Sequence, residues 1–353
     1  MFRPTIWLVS PHRTSLALVG VCLVASARVA TAQAFLPPAG EGDVTVTYQD
    51  SLAHGHLDLN GNPMPGASCC DPVRTHSIGW EVEFGVHDRL AFNVSLPYIS
   101  SRYGGPYPHP VDLEGHPSEM DDGTYHGTFQ DFHGGMHFNV KARPVSITPF
   151  AEVIIPSHHY PSLAHSAPGK DLRALVIGGS VGKFLDAVLP GLFFQTQVSY
   201  TVVQEIVGIR PNRSRADAEV GYFITPRLAV RFLESYQVTQ NGLDSVLFAG
   251  PDSVARIHAH PEIFYTTEYK RNHDRLQRSN FLNLGGGVGF AVNESVEIFA
   301  AAAKTVWGES VHPLRGLSVG ANFHFRTRPG TPGARPNLRQ VVIPRGRDGS
   351  KPK

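Results

Sequence analysis

Alternation with a period of two, carried across a tight turn, constrains this chain more than any other feature. Within residues 75–100 the apolar side chains Ile78, Trp80, Val82, Phe84 and Val86 take every second place. Ser77, Gly79, Glu81, Glu83 and Gly85 fill the gaps. His87-Asp88-Arg89 interrupts the pattern, which resumes with Leu90, Phe92, Val94, Leu96 and Tyr98. A period of two belongs to a strand, so the stretch predicts a long β-hairpin with one apolar and one polar face. Either a second sheet or lipid must cover the apolar face.

The pattern recurs down the chain. Candidate strands run over 43–54, 128–142, 146–156, 172–185, 192–205, 214–223, 228–238, 279–290, 296–305 and 315–325. With the hairpin this makes twelve strands, joined by five short turns and six long connections in strict alternation. Sandwich loops do not sort into a long and a short end, and propeller blades recur at more even spacing. The expected fold is therefore all-β: a twelve-stranded antiparallel transmembrane β-barrel over 43–325, with short periplasmic turns and long extracellular loops. Each strand has about the 9 to 11 residues that a tilted strand needs to cross the hydrocarbon. Gly 35 and Pro 28 suit many turns. The longest break, 239–278, leaves room for a strand extension at 262–270.

The two ends read differently. Arg3 and Arg13, the apolar run 15–27 and the small residues of Ala30-Thr31-Ala32 or Ala32-Gln33-Ala34 form a cleavable export signal over 1–32. Residues 326–353 carry eight Lys or Arg against Asp348 and predict a basic, disordered periplasmic tail. Net charge is only +1, so bulk charge points away from nucleic acid. The adjacent Cys69 and Cys70 can staple nothing distant.

Several segments resemble a family of proteobacterial outer-membrane barrels labelled as transporters of the phenol meta-cleavage pathway. They are GVHDRLAFNVSLPYI (85–99), FQDFHGGMHFNVKARP (129–144), TPFAEVIIPS (148–157), PGKDLRALVIGGSVGKFLD (168–186) and GLSVGANFHF (316–325). The resemblance implies an outer-membrane location and a channel or transporter role for small hydrophobic or aromatic molecules. The chain departs from it at strand ends, with Phe129-Gln130-Asp131-Phe132 and Ser157-His158-His159.

If the apolar face meets lipid, the alternate residues line the lumen: Glu81, Glu83, Asn93, His133, His137, Lys141, Arg143, Gln195, Gln197, Arg213, Arg215, Asp217 and Glu219. Mixed signs in a narrow bore suit a polar channel or an interlocking ion-pair network, with Glu81 or Glu83 able to meet Arg213 or Arg215. Of 18 histidines, His54 and His56, and His258 and His260, would share one face if extended, a spacing able to hold Zn²⁺ or Cu²⁺. No Gly-x-Ser-x-Gly elbow, phosphate loop, His-Glu-x-x-His or dinucleotide fingerprint occurs, so neither an enzyme nor a cofactor is expected. The expected partners are membrane lipid and small solutes. The expected function is passive diffusion through an outer-membrane channel, and the alternative is a non-conducting barrel whose His-rich loops bind metal or an external partner.

Overall fold

The structure, a computed structural model, describes residues 34–327 apart from 59, 64–71, 107, 110–115 and 244–266. The signal segment, Cys69 and Cys70, His258 and His260, and the tail beyond 327 lie outside the described residues.

In chain order the strands are β1 Glu41–Ala53, β2 Val73–His87, β3 Leu90–Ser95, β4 Tyr98–Tyr103, β5 His126–Phe129, β6 Asp131–Phe138 and β7 Ser146–Pro156. Then come β8 Ala174–Phe184, β9 Leu192–Val203, β10 Asn212–Thr225, β11 Leu228–Gln240, β12 Asn280–Ala291, β13 Val296–Glu309 and β14 Leu314–Arg326. Helix α1, Thr267–Leu276, precedes β12. β3 and β4 are one stave interrupted at Pro97, which has no N–H to give to a ladder; its carbonyl accepts from Gln130 N, at the facing break between β5 and β6. The fourteen segments thus make twelve staves, each antiparallel to its neighbours. β1 pairs with β2 on one side and with β14 on the other, from Glu41 opposite Arg326 to Ala53 opposite Leu314, so the sheet closes. Closure leaves no open edge, as a sheet in hydrocarbon requires.

The distribution of side chains is inside-out. Ile78 and Trp80 are 51 % and 37 % exposed and Phe92 and Phe138 are each 44 % exposed, whereas Glu83 is 9 % and Asn93 1 % exposed. A sandwich would enclose those aromatics between its sheets; here they stand on the outer wall and the polar residues stand inside. The outer surface is a lipid-facing band, a solvent contact that suits apolar side chains. At the long-loop end the band meets a polar aromatic girdle: His76 lies 2.8 Å from the Tyr48 hydroxyl and 3.1 Å from that of Tyr125. Arg102 covers the Tyr125 ring.

Val319 lies mid-stave, between Tyr48 of β1 and Ala300 of β13, and is half exposed on the outer face; only the Tyr48 hydroxyl reaches from that level toward the long-loop end. Val319→Arg is expected to lower stability in bilayers by about 2 kcal/mol, since the cost of a guanidinium falls from the membrane midplane toward the interface. Urea titration of protein folded into liposomes measures it, and an equal loss from an arginine at the inward neighbour Ser318 would speak against the outward assignment.

Two expectations are corrected. Of the strand extension expected at 262–270, residues 267–270 lie in helix α1 and 262–266 lie outside the described residues; the helix sequence TEYKRNHDRL offers no alternating apolar face to a ladder. Lys141 and Arg143 do not line a stave. β6 ends at Phe138, and both residues sit exposed in the turn before β7, with Lys141 bridging Ile147.

Candidate functional site

The other predicted inner-face residues lie on the inward side of their strands: Glu81 and Glu83 on β2, Asn93 on β3, His133 and His137 on β6, Gln195 and Gln197 on β9, and Arg213, Arg215, Asp217 and Glu219 on β10. Their pairing follows local register. Arg215 Nε reaches Asp217 Oδ1 at 3.0 Å, its own neighbour two residues on, rather than a glutamate of β2. Asn93 donates to Glu81 at 3.4 Å and Ser180 to Gln197 at 3.1 Å. His133 meets Glu152 of β7 at 2.8 Å, and His137 stacks on Phe150.

Nearer the short-turn end, Arg231 of β11 joins two carboxylates. Its Nε lies 3.5 Å from Glu219 Oε1, and its Nη2 donates to Glu297 of β13. Gln195 donates to the other oxygen of Glu219 at 3.5 Å. Between them, Gly289 on β12 supplies the room, since a Cβ there would lie 2.4 Å from Glu297 Oε1. Arg231, Glu297 and Glu152 were not singled out from the sequence, although the alternation of β7, β11 and β13 places each on the polar face.

A second element has no counterpart in the strand pattern. Residues 34–40 turn into the short-turn mouth and cross it. Gly40 N donates to Gly85 O of β2 at 2.7 Å, and Ala39 N to Asp88 at 3.1 Å. At the far end Ala34 is fully buried; its N–H donates to Gln195 of β9, and its carbonyl accepts from Ser146 and Thr148 of β7. Those staves, fifth and seventh in order, stand nearly opposite the first. Twelve strands about 4.8 Å apart and tilted about 40° close a wall roughly 24 Å across, and seven extended residues reach about as far.

The strap suits a bore. Pro37 and Pro38 lie against the β2 wall at Gly85, bring no N–H that would need a partner inside the bore and hold the chain extended. Gly85 and Gly182 admit it, since a Cβ on either would meet Pro37 O at 2.3 Å or Ala34 Cβ at 2.7 Å. Phe35 then packs on Phe184, which continues through Phe193 to Phe223 as an inward aromatic row.

At the opposite end the loops are tied together. Asp121 accepts from the backbone N–H of His109, His165 and Ser166. Arg275 of α1 donates to the carbonyls of Lys170 and Asp171, and Lys170 Nζ returns a bond of 2.7 Å to Gln277 O. Burial, with Arg213 nearby, pushes the Lys170 ammonium down to about 7.

His54 and His56 do not share a ligand face. Gly55 sits at φ 77 and turns the chain, which leaves His54 exposed while His56 is buried edge-on against His312, ring centres 4.7 Å apart. Burial, reinforced by His312 and only partly opposed by Asp58, pushes His56 down to about 3. A histidine held neutral by the fold loses stability when protonation favours the unfolded loop. The loop after β1 is therefore expected to be fully stable above about pH 6.5 and to weaken progressively as the pH falls from there toward 3. Hydrogen exchange at Leu57 and Val311 against pH measures this, and His56→Asn should flatten the dependence.

No protein-family model and no curated protein matches the chain. Among solved structures, the COG4313 outer membrane channel from Pseudomonas putida F1 superposes with a TM-score of 0.59 at 11 % identity, covering 84 % of this chain and 100 % of that one. The fold is that of an outer-membrane β-barrel. The NanC porin is more distant, with a TM-score of 0.43 at 8 % identity over 80 % of this chain and 98 % of its own. In the outer-membrane frame the short-turn mouth is periplasmic and the long-loop mouth extracellular, so the strap lies across the periplasmic end.

Proposed function

We propose that this barrel is an outer-membrane channel through which small molecules diffuse passively, and that its inward polar residues line the path. The observation that carries the reading is the pairing of an apolar outer wall with an inner wall of Glu, Asp, Arg, His, Gln and Asn side chains. Such a lining gives solutes polar partners along the bore, and rings of charge there set selectivity. Aromatic solutes are the class favoured by the family resemblance and by the inward rings of Phe150, Phe184 and Phe193 beside charged groups. Export by the N-terminal signal and cleavage near Ala32 belong to the same proposal.

Planar-bilayer recording and liposome swelling test it. Discrete conductance steps, and swelling with small aromatic acids, are the expected results; a silent bilayer with correctly folded protein would refute a conducting role. The strap favours one rival, a barrel closed at rest, and the same recordings separate the two.

A further inference from the structure

Two long loops that are far apart in sequence bring three ligands of two types, two imidazoles and a carboxylate, to one point. His109 follows β4; His273 and Asp274 sit on α1. One nitrogen from each histidine and a carboxylate oxygen all lie within 4.8 Å of one another. The two Nε2 atoms are 2.8 Å apart, His273 Nε2 is 3.1 Å from Asp274 Oδ1, and His109 Nε2 is 3.6 Å from Asp274 Oδ2. An ion bound tetrahedrally at about 2.0–2.1 Å places its ligand atoms roughly 3.3 Å from one another; the two nitrogens need part by about half an ångström, and rotation of the Asp274 carboxylate brings one of its oxygens toward both.

The supports are in place on both sides. His109 is buried, its N–H is held by Asp121 at 2.9 Å, and its carbonyl accepts from Ser118 N at 2.7 Å. Helix α1 is fixed by the Arg275 bonds to the Lys170 and Asp171 carbonyls and by the Lys170 bond to Gln277, just past the helix end. The His165 ring packs edge-on against that of His109, centroids 5.3 Å apart, and steadies it. Imidazole with one carboxylate suits borderline first-row divalent ions rather than Mg²⁺ or Ca²⁺.

We propose that His109, His273 and Asp274 bind a divalent transition-metal ion of the Zn²⁺ class, which ties the loop after β4 to helix α1 across the extracellular mouth. The binding goes beyond the channel reading and stands whether or not the lumen conducts.

The test is titration of full-length, folded protein in detergent with Co²⁺ alone, read by its visible absorption, followed by displacement with Zn²⁺. One equivalent giving the intense bands of a four-coordinate ion is expected. His273→Ala and Asp274→Asn should each weaken that site about tenfold or more, while His54→Ala should leave it intact. Heat-modifiable gel mobility reports folding of each variant, and if His273→Ala does not fold, Asp274→Asn decides. Unchanged affinity in the folded variants, or loss of the site in His54→Ala instead, overturns the proposal.

Discussion

Arg231→Ala is expected to destabilise the barrel by about 3–5 kcal/mol, because it strands buried carboxylate charge. Glu219 is 2 % exposed, and the Arg231 guanidinium is the cation between it and Glu297. In a low-dielectric wall a pair adds little net stability over apolar packing, but removal of one partner leaves the desolvation cost of the other uncompensated. The double variant Arg231→Ala/Glu219→Gln should recover most of the loss, since a neutral amide keeps the Gln195 contact without the stranded charge. Urea unfolding from liposomes separates the two. Additive losses would show that Arg231 and Glu219 are not coupled.

Gly182→Leu is expected to open the periplasmic mouth. The added side chain would occupy the space of Ala34 Cβ and the Phe35 ring, which approach an ideal Cβ at 2.7 and 2.9 Å. Displacing that end breaks the anchors to Gln195, Ser146 and Thr148 while the Gly40 end stays tied to Gly85. If the strap sets the constriction, single-channel conductance rises roughly two-fold or more, because the narrowest, least hydrated point of a pore limits its flux. Gly179→Leu is the control: it is the next residue but two, faces outward and meets nothing nearer than 3.9 Å. Equal conductance in wild type and Gly182→Leu would show that the strap does not gate the path.

Much of the fold was legible because each stave is decided locally. Alternation alone placed β7 at 146–156, its observed bounds, and the start of β9 at Leu192. What escaped reading depends on contacts distant in sequence. The strap looks like a spacer, since only the folded wall supplies Gly85, Gly182 and Gln195 to receive it. Pro37-Pro38 was its one local sign. The inner-face residues were readable as a set, but not their partners: Arg215 chose Asp217 on its own strand, and Arg231 with Glu297 emerged only once β11, β12 and β13 were in register. The pairing of His54 with His56 failed on one dihedral angle, the positive φ of Gly55, which no period-two argument foresees. His109 and His273 lie 164 positions apart, and nothing in either loop announces the other.

The central claim is that the apolar side chains of the staves look outward into acyl chains. Trp80 is the direct reporter: besides Trp7, in the signal segment, the only other tryptophan is Trp307, which can be changed to Phe. In that variant, folded into vesicles of lipids brominated along their chains, Trp80 fluorescence should be strongly quenched by the bromines and little affected by iodide in the buffer. Emission insensitive to the brominated chains would place Trp80 inside a protein core and contradict the barrel described here.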